Sequence, residues 1–255
     1  SSSSHKKQFQ MGLSSDQVTH SRQLPSKAKL YSNASRSRID CDATIHPNGT
    51  LGRSVTYFVR MTQLTQSVRL EFDDDIALIR IDNPPVNALS QHVRQGLLDG
   101  VTQAESSEAK SIVIICDGRT FIAGADITEF SGPPQPPALQ SVQDAMENCS
   151  KPVIAAVHGT ALGGGLEVAL CAHYRVGIAG SQYGLPEVKL GLLPGAGGTQ
   201  RLPRITGAAK ALDMMTSGDP IDAQEALRCG LIDELVDDLE HGAVAFARRA
   251  VTEQM

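Results

Sequence analysis

Two stretches of this chain are apolar or small at almost every position: Ser111-Ile112-Val113-Ile114-Ile115-Cys116 and Pro152-Val153-Ile154-Ala155-Ala156-Val157. A strand with one wet face alternates polar and apolar residues. A continuous β-branched run has no wet face, so it must be covered on both sides. Ile76-Ala77-Leu78-Ile79-Arg80-Ile81, closed by Asn83-Pro84-Pro85, and Tyr174-Arg175-Val176-Gly177-Ile178 read as further strands. Between them lie helical patterns. Ser90 is placed to cap a helix with Val93, Leu97, Val101 and Ala104 on its apolar face. Ala138, Val142, Ala145, Met146 and Cys149 give a second such face, and Leu166 to Cys171 a short apolar helix. After Pro203 the chain reads as helical: Ala208, Ala211, Leu212 and Met215 share a face that Gly218 ends. Asp222 and Glu225 have capping-box spacing for a helix stopped by Gly230, and Glu240 to Thr252 reads as a last amphipathic helix. Strands alternating with helices predict an α/β domain with a helical C-terminal part.

Composition divides the chain. Residues 1–60 hold nine Lys+Arg against three Asp+Glu, with 12 serines, whereas residues 61–255 hold 14 against 25. The first stretch has no hydrophobic periodicity and reads as a disordered or appended basic, Ser-rich segment, with the composition of an organelle transit peptide as well. Patterned sequence begins soon after Met61. The formal charge of −5 argues against a nucleic-acid binder, and no apolar run approaches the ~18–20 residues of a membrane span. The five cysteines, Cys41, Cys116, Cys149, Cys171 and Cys229, are widely spaced without a CxxC. That favours a reducing, intracellular compartment over a disulfide framework. Cys171 and His173 are the nearest approach to a metal pair, and packing at a helix end is the favoured reading. No metal site is expected.

Three glycine-rich loops adjoin the buried strands: Ala123-Gly124-Ala125-Asp126, Leu162-Gly163-Gly164-Gly165-Leu166-Glu167 and Leu193-Pro194-Gly195-Ala196-Gly197-Gly198-Thr199. Glycine permits close backbone approach, and a loop opening a helix offers unpaired N–H groups to an anion. The details exclude familiar nucleotide sites. No Gly-Lys-Ser/Thr follows a loop, and Gly195-Ala196-Gly197-Gly198-Thr199-Gln200 lacks the final glycine of GxGxxG. Gly180-Ser181-Gln182-Tyr183-Gly184 sets its serine one place early for a nucleophile elbow. What remains is two carboxylates beside glycine loops. Glu167 opens an apolar helix and Glu187 sits in Leu185-Pro186-Glu187-Val188-Lys189-Leu190. Each alone reads equally well as a helix-end charge or an ion-pair partner. Together they match acid–base chemistry on a carbonyl compound.

The pattern of Asn83-Pro84-Pro85-Val86-Asn87-Ala88, Phe121 to Ile127, Lys151 to Val157, Ala161 to Glu167, Leu185 to Gly195 and Gly198-Thr199-Gln200-Arg201-Leu202-Pro203-Arg204 resembles the crotonase superfamily, the enoyl-CoA hydratase/isomerase family. The likeness covers about Ile76 to Val236 and is nearest to the N-terminal part of multifunctional fatty-acid β-oxidation enzymes. It implies a crotonase-like ββα-repeat core over 61–255 and further C-terminal helices, so that the domain is expected to be C-terminally truncated. It also implies an acyl-CoA thioester substrate, with CoA entering as part of that substrate and no separate cofactor. The oxyanion-hole N–H groups map onto Ala125 and Gly164, and the two acids onto Glu167, activating water, and Glu187, protonating Cα. Ala123, Gly124, Asp126 and Ile127 correspond to the loop receiving CoA, Gly195 to a glycine lining the reactive end, and Gly163 and Pro194 to further substrate-binding positions. Retention of both acids implies reversible hydration of trans-2-enoyl-CoA. Δ3–Δ2 isomerisation and acyl-CoA binding without turnover are the alternatives. The resemblance leaves open a homotrimer or hexamer against a monomeric part of a multifunctional enzyme. It also leaves the compartment as cytoplasmic in a bacterium and peroxisomal or mitochondrial in a eukaryote.

Overall fold

The computed structural model describes residues 28–33, 36–41, 55–59 and 61–253. The chain forms two compact units, Ser1–Met61 and Thr62–Met255. In the first, strands β1 (Ala28–Asn33), β2 (Arg36–Cys41) and β3 (Val55–Val59) pair antiparallel as a meander. The remainder of the segment expected to be disordered or appended lies outside the described residues.

A seven-stranded sheet dominates the second unit. Its strands are β4 (Met61–Gln63), β5 (Val68–Asp73), β6 (Ile76–Ile81), β7 (Ser111–Cys116), β8 (Val153–Val157), β10 (Tyr174–Ile178) and β13 (Glu234–Val236), in the spatial order β13-β10-β8-β7-β6-β5-β4. From β6 to β13 every pair is parallel; β5 returns antiparallel against β6. β6, β7 and β8 are buried at every position, because the pleat sends alternate side chains into two separate cores.

On one face a row of partners, Leu78, Val113, Ile154 and Tyr174, meets helix α7 (Leu239–Glu253). Ala243, Phe246, Ala247 and Ala250 of α7 are buried there, and the Phe246 ring stands 5.4 Å from that of Tyr174. Arg80 shares this face and is only 7% exposed. A buried guanidinium needs partners, and it has three: Glu71, Asp117 and, from α7, Glu240 at 2.8 Å. On the other face Ile79, Ile81, Ile112 and Ile114 pack beneath α1 (Gln91–Glu105) and its neighbours. Ser90 opens α1 but makes no side-chain cap; its hydroxyl faces His92 and Asn83 instead.

A second small sheet, β9 (Thr160–Leu162), β11 (Gln182–Gly184) and β12 (Ile221–Asp222), has β11 parallel to β9 and antiparallel to β12. The remaining helices are α2 (Leu139–Glu147), α3 (Gly164–Ala169), α4 (Gly198–Thr206), α5 (Ala208–Ser217) and α6 (Ala223–Arg228). Two expectations need correction. The helix expected after Pro203 begins at Gly198 and carries Pro203 inside it. In α5 the buried pair is Ala211 and Met214, while Leu212 is 60% exposed. The helix packs on α4 and on the turn Pro186–Leu190, which rotates its inner face one position away from the apolar pattern. At α6, Asp222 accepts from the Glu225 N–H as a capping box requires. Glu225 does not reciprocate, pairing instead with Lys210 and Arg228.

Candidate active site

The site lies where the parallel strands end, the usual place for ligands in open α/β sheets. Beyond β8 the chain turns at Gly159 (φ +58), runs through β9, turns again at Gly163 (φ +52) and enters α3. Beside β9 runs the segment that follows β7. Leu162 N–H donates to the Ile122 carbonyl at 3.1 Å, and the Leu89 N–H donates to Gly124 at 3.0 Å. Isolated bridges tie Ala123 to Leu162 and Leu89 to Ala125. Three segments thus lie side by side and deliver Ala125 next to the first residue of α3. A Cβ on Gly164 would stand 3.9 Å from the Ala125 nitrogen and 3.2 Å from Leu89 Cδ1.

Both backbone N–H groups are available. Gly164 is the first residue of a helix, where an N–H has no partner within the helix. Neither it nor Ala125 donates to another described backbone group. Ala125 is exposed and Gly164 half-buried. Two unpaired donors converging from a helix N-terminus and an adjacent loop form a receptor for an oxygen that gains negative charge.

Glu167 lies one turn into α3 and is buried at 3% exposure. Its Oε1 accepts from the Ala196 N–H at 2.8 Å and the Gly198 N–H at 2.9 Å. The space at 198 is tight, since a Cβ there would stand 3.0 Å from that same oxygen and from Leu185 Cδ1. With Oε1 taking both donors, Oε2 is the oxygen left to work. Glu187 reaches the site from the 3₁₀ turn Pro186–Leu190. Its Oε1 would lie 3.1 Å from a Cβ on Gly163, and its Oε2 is buried with no hydrogen-bond partner. Burial pushes the Glu187 carboxyl above the ordinary range, a backbone hydrogen bond opposes this, and the nearby Glu167 charge adds to the rise. The two carboxylates are therefore in different surroundings, one tied by two N–H groups and one with its Oε2 buried and without a hydrogen-bond partner.

The other sequence-predicted residues separate by role. Gly124 takes φ +96. Asp126 caps the following 3₁₀ turn Ile127–Ser131, accepting from the Thr128 N–H at 3.0 Å and hydroxyl at 2.7 Å, and Ile127 is 73% exposed. Pro194 is buried and Gly195 exposed. A Cβ on Gly195 would meet nothing nearer than 4.0 Å, so the protein's own packing does not demand glycine there. Cys171 and His173 are engaged in packing. The thiol donates to the Glu167 carbonyl at 3.2 Å and is pushed up to about 12 by burial; His173 Nδ1 accepts from the Val153 N–H. Ser181 is buried and donates to the Ile178 carbonyl. Among the described residues no group of His, Cys, Asp and Glu is arranged to hold a metal ion, and no helix is long and apolar enough to cross a membrane.

Sequence reasoning assigned no role to Ala196, Gly198, Gln143, Glu147 or Arg201. The signal for the loop pair was its glycine density. Gln143 carried none, being a polar residue within an apolar helix face.

Residues 71–254 match the family model described as Enoyl-CoA hydratase/isomerase. The peroxisomal bifunctional enzyme of Danio rerio is 48% identical over 69% of this chain, and the chain spans only 25% of that protein's length. The “Probable enoyl-CoA hydratase” of Bacillus subtilis (strain 168) is 41% identical, covering 72% of this chain and 77% of its own. Among solved structures, the enoyl-CoA hydratase of Bacillus anthracis superposes with a TM-score of 0.68 at 31% identity, over 73% of this chain and 77% of that one. With its matching family model, its relatives and its fold, the chain belongs to the enoyl-CoA hydratase/isomerase family.

Proposed function

We propose that this chain carries out the reversible addition of water to a trans-2-enoyl-CoA, giving a 3-hydroxyacyl-CoA, as a step of fatty-acid β-oxidation. The observation that carries the reading is the pair of unlike carboxylates beside two unpaired N–H groups. In this scheme the Ala125 and Gly164 N–H groups bind the thioester oxygen. As water attacks Cβ, electrons move onto that oxygen, and the donors hold the enolate charge; losing one such donor costs ~3–4 kcal/mol of transition-state stabilisation.

Glu167, through Oε2, takes a proton from the attacking water. Glu187 donates its proton to Cα as the enolate collapses, and its upward shift favours the protonated form this step needs. The hydroxyl ends on Cβ and the Glu187 proton on Cα, which leaves the pair with its proton on Glu167. Exchange through water between the two acids restores the starting state. Ala123, Gly124, Asp126 and Ile127 would line the path of the CoA moiety, and Gly163, Pro194 and Gly195 the acyl end. The open space over Gly195 suits a substrate lying against the backbone there. CoA arrives with the substrate, and no separate cofactor is called for. The names of the Danio relative and of the glyoxysomal multifunctional protein of Cucumis sativus point to a peroxisome-type compartment in a eukaryotic setting.

The test is the loss of enoyl-thioester absorbance of crotonyl-CoA, for the parent and for Glu167→Gln and Glu187→Gln. Turnover that falls ~10²–10⁴-fold in each variant is expected. A folded parent without turnover overturns the reading. Conversion of a 3-enoyl-CoA that survives Glu187→Gln would replace it with a one-acid isomerase.

A further inference from the structure

Glu167 is aimed by a loop, and the loop is itself held from behind. Ala196 makes bonds on two sides. Its N–H donates to Glu167 Oε1 at 2.8 Å, while its carbonyl accepts from Gln143 Nε2 at 2.7 Å and from Arg201 Nη1 at 3.0 Å. Gln143 lies on α2 and is fully buried; Arg201 lies on α4. The same Gln143 nitrogen stands 3.4 Å from the Glu167 carbonyl, so one amide touches both the loop and the backbone of the acid. Arg201 is oriented in turn by a two-point pair with Glu147, the last residue of α2, at 2.6 and 2.8 Å. Gly197 leaves room for this arrangement: a Cβ there would fall 2.0 Å from Arg201 Nη1.

Stability alone is a weak reason for this cluster. The Glu147 side chain is 40% exposed, and an ion pair so placed contributes little to folding. Burying Gln143 with its Oε1 unpaired is unfavourable in itself. What the cluster does accomplish is geometric. It fixes the Ala196 peptide, and through it the plane of the Glu167 carboxylate and the direction of Oε2.

We propose that Gln143, Glu147 and Arg201 form a brace of positioning residues that sets the direction in which Glu167 presents its free oxygen. This rests on the hydratase reading of the site. Catalytic groups need such support because a misplacement of about 1 Å costs about 10²-fold in rate.

The test uses the full chain labelled with ¹⁵N and its Arg201→Gln, Glu147→Gln, double and Arg201→Lys variants. The backbone amide resonances of Ala196 and Gly198 report donation to Glu167 without any turnover, with Glu167→Gln defining the signature of a changed acceptor. Crotonyl-CoA hydration supplies kcat and KM. In Arg201→Gln both amides are expected to move and kcat to fall about 10- to 100-fold, with KM within about twofold of the parent. Glu147→Gln, which leaves every contact to the loop in place, is expected to give a smaller fall. The double variant should be no worse than Arg201→Gln, and Arg201→Lys should recover part of kcat by keeping one donor for the Ala196 carbonyl. Amides that stay in place, or a lowered Tm with kcat unchanged, overturn the brace. A parent that does not hydrate crotonyl-CoA overturns the hydratase reading instead, and the amide shifts still decide whether the brace exists.

Discussion

Gly165→Ala separates helix propensity from geometry. Gly165 is the second residue of α3, where alanine on propensity alone would stabilise the protein by up to ~1 kcal/mol. The structure opposes this. A Cβ at 165 would stand 2.0 Å from the Ile122 carbonyl oxygen and 2.7 Å from its carbon. An ordinary C···O approach is about 3.3 Å or more, so α3 and the 122–125 segment must separate by roughly 1.3 Å. Neither side gives easily. Ile122 is fully buried, and the crowded oxygen already accepts from the Leu162 N–H. Overpacking of this kind costs about 1–3 kcal/mol, which leaves a net loss of up to about 2 kcal/mol after the full propensity gain. The displacement also parts the Ala125 and Gly164 N–H groups and shifts Glu167, so kcat/KM should fall by about 10²-fold. Urea unfolding followed by circular dichroism gives the first quantity and crotonyl-CoA hydration the second. Gly132→Ala, where a Cβ meets nothing within 4 Å, is the control and should be near-neutral in stability. A Gly165→Ala protein at least as stable as the parent and with kcat/KM within about threefold of it would refute the steric argument.

Other perturbations discriminate among the remaining claims. Glu167→Gln keeps an oxygen for the Ala196 and Gly198 N–H groups, whereas Glu167→Ala orphans both, so urea midpoints should place the alanine variant about 2–6 kcal/mol below the glutamine one. The folded protein holds the Glu187 carboxyl above its ordinary value of 4.5. The folded state therefore binds this proton more readily than the unfolded one, and the group's contribution to stability declines as pH rises through that raised value. Glu187→Gln should then be more stable than the parent at neutral pH, with the gap closing below about pH 4.5; a constant gap across a pH series of denaturation curves would contradict this. Gly195→Ala should leave Tm within a few degrees of the parent while raising KM for crotonyl-CoA, because its methyl enters only the space assigned to substrate. A lowered Tm with KM unchanged would show that the space belongs to the protein.

Strands buried on both faces announce themselves, and β7 and β8 were legible for that reason. β5, Val68-Arg69-Leu70-Glu71-Phe72-Asp73, alternates apolar and polar residues as a half-buried strand does, and that signal was missed; Arg69 and Glu71 point to the face where they join the ion pairs around Arg80. β9 is three residues between two turning glycines, too short to carry a period. The start of α4 was obscured by its glycines: Gly197 and Gly198 read as loop, yet Gly198 opens the helix, where a Cβ would crowd Glu167 and Leu185 at 3.0 Å. The two acids stood out as carboxylates beside glycine loops. Their supporting groups did not, since a hydrogen bond from Gln143 to the Ala196 carbonyl crosses 53 positions of sequence and leaves no local pattern.

The order of the large sheet has a consequence for how the molecule is made. Reading β4, β5, β6, β7, β8, β10 and β13 across space is also reading them along the chain. Each new strand can therefore dock on the edge its predecessor has just formed, and the sheet can lengthen vectorially during synthesis. Helix α7 follows a different schedule. The row it covers runs from Ile76 to Val176, and Arg80 waits for a partner 160 positions downstream. Until residues 239–253 leave the ribosome, that whole face is a sticky, unfinished surface. The demand for protection of this face should accordingly end with the arrival of this one segment.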